Sequence, residues 1–249
     1  MLLLDDSRPT AVLRLEHGKV NALDVELLEA LTETLTSLET SPCRAVVLTG
    51  SGRAFSAGVD LFRVLDGGAA YVERLIPALG RAFGAVFEFP KPVVAAVNGP
   101  AIAGGCVLAA ACDRRIAADA APIGASELRV GVPFPAGALE ILRHVCGPEA
   151  ETVILAGGVH RGPDALARRL VDEIVPADDL MDRAMAAADD LGAIPSLGYR
   201  LAKAQLRRPT LERIVAGAAG DDEVRAVWAA PETAAAIRAS LERTTGRSS

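Results

Sequence analysis

Arg53-Ala54-Phe55-Ser56-Ala57-Gly58-Val59-Asp60-Leu61 follows the apolar run Ala45-Val46-Val47-Leu48-Thr49, and Asn98-Gly99-Pro100-Ala101-Ile102-Ala103-Gly104-Gly105-Cys106 follows Val93-Val94-Ala95-Ala96-Val97. Each is a glycine-rich turn set just after a strand-like run. Such turns leave backbone N–H groups unpaired and let a ligand approach the main chain. Two of them aimed at one oxygen make an oxyanion hole. Outward from these turns, apolar runs alternate with helical patterns, which argues for an α/β protein. The alternation by itself permits a doubly wound sheet.

Ala11–Leu15 reads as a strand and His17–Ala22 as a loop. Asp24 can cap a helix whose apolar residues Val25, Leu28, Leu31, Leu35 and Leu38 keep helical spacing until Pro42. A second helical pattern covers 69–87, with Pro77 as a candidate kink. A helix over 104–111 and a strand over 114–118 follow. Further helices are predicted over 137–146, 148–156, 163–169 and most of 177–191. The tail from Ser196 is predicted helical, with breaks at Pro209, Gly217–Gly220 and Pro231.

The chain has 249 residues, 51% of them hydrophobic, which is enough for a sizeable core. With 26 Lys and Arg against 32 Asp and Glu, its net charge of −6 argues against a nucleic-acid partner. The run from Val93 to Cys112 carries no charge and has membrane-spanning length. Its interior Asn98-Gly99-Pro100 and Gly104-Gly105 fit a buried strand, loop and helix better than a span. With no secretory pattern at Met1–Leu4, the reading is a soluble cytoplasmic protein without a membrane partner. Cys43, Cys106, Cys112 and Cys146 form no C-x-x-C pair and read as buried thiols. His17, His144 and His160 show no metal-ligand spacing, so no metal is expected. Gly50-Ser51-Gly52 lacks the third glycine of a dinucleotide turn, and Ser126 lacks the closing glycine of a nucleophile elbow.

The first glycine-rich segment is similar to the F-[SC]-A-G-x-D-[LI] stretch of the crotonase (enoyl-CoA hydratase/isomerase) superfamily, and the second resembles its N-G-x-x-x-G-G-G/C-x-x-[LV] stretch. Both occur in the family's order, about forty-five residues apart. The resemblance spans roughly residues 10–205. It implies a crotonase-like spiral of ββα repeats, an acyl-CoA-binding core over 1–195, and a helical oligomerisation region over 196–249 that packs a homotrimer or a dimer of trimers. The sequence itself shows no clean repeat. The resemblance also implies an acyl-CoA thioester substrate, with coenzyme A arriving as part of it and no permanently bound cofactor.

By the same resemblance the oxyanion donors are the backbone N–H groups of Val59 and Gly104, and the catalytic acid–base residue is Glu127. Glu127 lies in Ile123–Val132, which resembles G-x-[PN]-E-x-x-x-G, and it is the sole carboxylate between Asp119 and Glu140. Lys19-Val20-Asn21-Ala22-Leu23 matches the family's [KA]-x-N-A-L loop. Lys19, Val20, Ala22, Ala57, Asp60 and Leu61 are therefore expected along the coenzyme A, with Lys19, Arg53 and Lys203 nearest its phosphates. Phe62, Leu65, Leu75, Phe134 and Leu139 are either acyl-pocket walls or core. Family hydratases carry a second Glu where this chain has Val107. A single base suits moving a double bond better than adding water, so the sequence looks most like the single-glutamate Δ3,Δ2-enoyl-CoA isomerases. A hydratase, another crotonase-type reaction, or a non-catalytic acyl-CoA binder remain open alternatives.

Overall fold

The structure is a computed structural model that describes residues 2–245. Met1 and residues 246–249, the end of the predicted C-terminal region, lie outside the described residues.

The main sheet holds six strands: β1 (Leu2–Asp5), β2 (Thr10–Leu15), β3 (Ala45–Gly50), β4 (Val93–Val97), β6 (Arg114–Ala118) and β8 (Glu173–Val175), in that spatial order. All pairings are parallel except β1 against β2. The leucines at 2–4 form this antiparallel edge strand. β3 and β4 are buried along their whole length, as a sheet covered on both faces requires.

A second layer is built from very short pieces. β5 (Ala101–Ile102) pairs in parallel with β7 (Ile123–Gly124), and single bridges join Leu23 to Val59, Ser56 to Ala101 and Ile123 to His160. Each of β2, β3, β4 and β6 thus sends its chain onward into a short segment of the second layer. This is a spiral of ββα turns rather than a doubly wound sheet. The repeat is absent from the sequence pattern because segments of one or two residues carry no periodicity.

Helix α1 (Val25–Glu39) starts where Asp24 accepts from Leu27 N at 2.8 Å, and its predicted apolar stripe is buried. Helix α2 (Leu61–Phe87) begins earlier than the sequence suggests, because Asp60 caps it by accepting from Phe62 N and Arg63 N. Its break is at Gly68 (φ 55, ψ −148), a conformation open to glycine, and Pro77 is kept inside the helix. Helix α3 (Gly104–Ala111) is buried at every residue, which accounts for the charge-free run.

Helices α4 (Ala136–Cys146), α5 (Ala150–Ala156), α6 (Gly162–Ala167) and α7 (Leu180–Gly192) lead to α8 (Ser196–Gly217), α9 (Asp221–Trp228) and α10 (Pro231–Thr245). Pro209 does not break α8 as expected. Proline offers no N–H to the carbonyl of Gln205 four residues earlier, and Gln205 is an exposed residue, where water can take that place. The last helices fold back on their own chain: Trp228 and Ile237 are buried, and Trp228 Nε1 donates to Pro133 O at 2.9 Å. Val215 and Val227 instead face outward. The four cysteines are buried free thiols.

Candidate active site

The glycine-rich turns meet in the second layer. Gly58 adopts φ 87, and a Cβ built on it would lie 2.7 Å from Ile102 O and 3.3 Å from Gly104 N. A Cβ on Gly104 would in turn lie 3.8 Å from Gly58 Cα. The two turns are therefore in main-chain contact, and only a residue without a side chain fits at 58.

Two peptide units at this contact have pinned carbonyls. Gly58 O accepts from Leu23 N at 2.8 Å, and Asp60 N donates to Leu23 O at 2.9 Å. Ala103 O accepts from Cys106 N at 2.8 Å and Val107 N at 3.1 Å, in the first turn of α3. A trans peptide points its N–H opposite to its C=O. Val59 N–H and Gly104 N–H are therefore turned away from these partners. Gly104 N–H is also an N-terminal helix donor, where the helix dipole favours negative charge. Ala103, just before it, is held at φ 50 and ψ −122, an unusual conformation for a residue with a Cβ.

Glu127 opens a 3-10 turn, Glu127–Val130, three residues after β7. β7 is tied to the second glycine turn by Ala103 N donating to Gly124 O at 2.8 Å. Glu127 is 7% exposed, and its Oε2 is buried without a partner. Burial pushes its carboxyl up to about 8, against a smaller downward pull from its own backbone amide. Asp24 and Glu140, the other buried carboxylates among the described residues, have arginine partners: Arg63 for Asp24, which also meets His17, and Arg143 and Arg213 for Glu140. Val107, where a second Glu was considered, is fully buried in α3.

The other predicted residues divide. Ala57 N donates to Val20 O at 3.0 Å, and Leu23 bridges Val59, so the 19–23 loop and the first glycine turn form one surface. Lys19, Val20, Arg53 and Ala57 are exposed along it, with Ala22, Asp60 and Leu61 half-buried. The carboxylate of Asp60 is occupied as the α2 cap. Lys203 is a correction: it is buried, donating to Asp113 Oδ2 at 2.7 Å and Lys91 O at 3.2 Å, and is not free to meet a phosphate. Leu75 and Phe134 are buried core residues, whereas Phe62 is exposed.

Asn21 and Ser56 are the residues that sequence reasoning passed over. Asn21 is buried at φ 52, accepting from His17 N at 2.9 Å and donating to Ala54 O at 2.9 Å and Ser51 O at 3.1 Å. Its place inside the recognised loop motif was the available signal. The three histidines are engaged elsewhere, with Asp24, Thr210 and Asp164.

Comparison with known proteins identifies the family. The enoyl-CoA hydratase/isomerase family profile matches residues 7–242. A putative enoyl-CoA hydratase of Thermus thermophilus is 38% identical over 187 residues, 74% of either chain. Human mitochondrial enoyl-CoA delta isomerase 1 is 31% identical over 216 residues, covering 85% of this chain and 72% of that one. The crystal structure of human mitochondrial delta3-delta2-enoyl-CoA isomerase superposes with a TM-score of 0.92 over 98% of both chains, at 28% identity. The chain has the crotonase fold and belongs to the enoyl-CoA hydratase/isomerase family.

Proposed function

We propose that this chain is an enoyl-CoA isomerase that moves the double bond of an acyl-CoA thioester from position 3 to position 2. The observation that carries the reading is Glu127, a buried carboxylate with no ion-pair partner among the described residues and an unpartnered Oε2, together with an apolar Val107 where a two-base hydratase would hold its second acid. Glu127 removes a proton from C2 of the 3-enoyl chain. The C2 electrons move into the thioester carbonyl, and Val59 N–H and Gly104 N–H hold the resulting enolate oxygen. The enolate collapses as C4 takes the same proton back, leaving the double bond between C2 and C3. No water enters, and the base ends as it began. One good oxyanion donor is worth about 3 kcal/mol in such chemistry.

Coenzyme A is part of the substrate and lies along Lys19, Val20, Ala22, Ala57, Asp60 and Leu61, with Lys19 and Arg53 exposed near its phosphates. No resident cofactor is required. The assembly that fits the family is a homotrimer or a dimer of trimers, with 196–249 contributing to its packing. Parallel assays with 3-enoyl-CoA and 2-enoyl-CoA test the reaction: isomerisation should exceed hydration at least tenfold. Hydration as fast as isomerisation would overturn the single-base reading.

A further inference from the structure

One hydroxyl ties together the pieces that aim the first oxyanion donor. Ser56 is fully buried. Its Oγ donates to Asn21 O at 2.8 Å and accepts from Gly58 N at 3.2 Å. A hydroxyl has one proton, and Asn21 O takes it, which leaves a lone pair for the Gly58 N–H. The next peptide, Gly58–Val59, carries the proposed donor, with its carbonyl on Leu23 N. The orientation of the Val59 N–H is therefore set by Ser56 on one side and Leu23 on the other.

The hub is itself anchored. Ser56 N donates to Pro100 O at 3.0 Å, and Ser56 O accepts from Ile102 N at 3.0 Å. Gly105 sits directly over it: a Cβ there would lie 2.2 Å from Ser56 O and 2.9 Å from Ser56 Cβ. Asn21 holds its own carbonyl in place through the side-chain bonds to Ala54 and Ser51. The hydroxyl thus links the 17–23 loop to the first glycine turn, and the Ser56 main chain carries that link to the second turn, where Gly104 lies.

We infer that Ser56, supported by Asn21, is a positioning residue of the reaction, whose hydroxyl orients the Gly58–Val59 peptide toward the enolate oxygen. The inference rests on the oxyanion reading given above. Ser56 does not touch substrate. Its contribution is to keep a donor aligned, and a misaligned donor loses most of its value in the transition state while altering ground-state binding little.

The test uses the inactive Glu127→Gln protein with 2-enoyl-CoA carrying a 13C-labelled thioester carbonyl. Hydrogen bonds to that oxygen lower its infrared stretching frequency on binding. The Glu127→Gln protein should show this red shift, and Glu127→Gln with Ser56→Ala should lose about half of it or more, one of two donors being misdirected. In the otherwise native chain, Ser56→Ala should lower kcat on the order of tenfold or more, with KM and the Kd for a saturated acyl-CoA changed less than threefold. Should Ser56→Ala fail to fold, Ser56→Cys keeps the side-chain shape with a weaker acceptor and should show a smaller, still measurable loss of shift. A full red shift in the Ser56 variants, or kcat loss that only follows the folded fraction, overturns the inference and leaves the oxyanion reading standing. Absence of any red shift in Glu127→Gln alone overturns the oxyanion reading, and the role of Ser56 falls with it.

Discussion

Glu127→Gln probes one proton by two independent measurements. In the folded protein the carboxyl ionises at about 8, whereas a carboxyl in the unfolded chain ionises near its ordinary value of 4.5. Between those values the folded protein holds a proton that the unfolded chain releases, so stability falls as pH rises through the window and is insensitive to this group outside it. Fully expressed, the gap corresponds to about 5 kcal/mol above pH 8. Glutamine cannot ionise, so the variant should match the parent near pH 4.5 and gain on it steadily up to pH 8. For a chain of this length, each kcal/mol raises Tm by about 2 °C, a shift that calorimetry across pH 5–9 resolves. In the proposed mechanism the same proton governs activity. At pH 7, one unit below its ionisation point, about one base in eleven is charged, so kcat/KM of the parent should rise nearly tenfold from pH 6 to 7 and level off above 8. Turnover by Glu127→Gln should be lost, with acyl-CoA binding kept within a few-fold. A flat pH–rate profile between 6 and 9, or a variant no more stable than the parent at pH 8.5, would refute the assignment of a desolvated base at 127.

Gly58→Ala puts a Cβ 2.7 Å from Ile102 O at φ 87 and should lower kcat at least a hundredfold while costing about 1–3 kcal/mol of stability, both readable from steady-state kinetics and urea unfolding. Asp113→Ala leaves Lys203 and Arg207 buried without their carboxylate, at 2.7 and 2.8 Å in the parent, and should cost about 3–5 kcal/mol. Because Asp113 lies past the C-terminal end of α3 and Gly104 at its start, kcat at 20 °C should stay within twofold. Light scattering at micromolar concentration should give the mass of three or six chains, and a single-chain mass would remove the proposed assembly. A truncation ending at Ile194 strips Lys203 and Arg207 from Asp113 and Trp228 and Ile237 from the core, and should be insoluble.

Much of the fold was legible where physics writes a periodic pattern. The leucines of α1 announce one buried stripe, and Asp24 announces its start. The charge-free run over 93–112 resolves into β4, β5 and α3, as its internal glycines and proline require. What stayed hidden depends on long-range contacts. The second layer is made of isolated bridges such as Leu23 to Val59, too short to imprint a pattern. Gly68 and Pro77 are both helix breakers on paper, and only the backbone shows that the chain turns at Gly68 and tolerates Pro77. Lys203 reads in the sequence as a free cation because a lysine in a polar helix usually is one. Its partner Asp113 is 90 residues away in the chain, and Arg207 joins the same carboxylate while lying over the Phe87 ring at 4.2 Å.

The treatment of buried acids separates structure from chemistry in this chain. Asp113 accepts from Val93 N at 2.7 Å and pairs with Lys203 and Arg207, and so fastens α8 to the sheet. Asp24 caps α1 and meets His17 and Arg63; Glu140 meets Arg143 and Arg213. Each of these carboxylates is engaged by arginine or lysine partners. Glu127, as buried as Asp24 and Glu140, lacks what all three have: among the described residues no ion-pair partner lies beside it, and its Oε2 has no donor. Folding alone would favour replacing it with an apolar residue or giving it a partner. An unpartnered buried acid, reached from the second glycine turn through the Ala103–Gly124 hydrogen bond, is what the proposed proton carrier requires. In the proposed isomerase reaction, the basicity that destabilises the folded protein above pH 4.5 is the property by which one side chain would take a proton from C2 and give it back at C4.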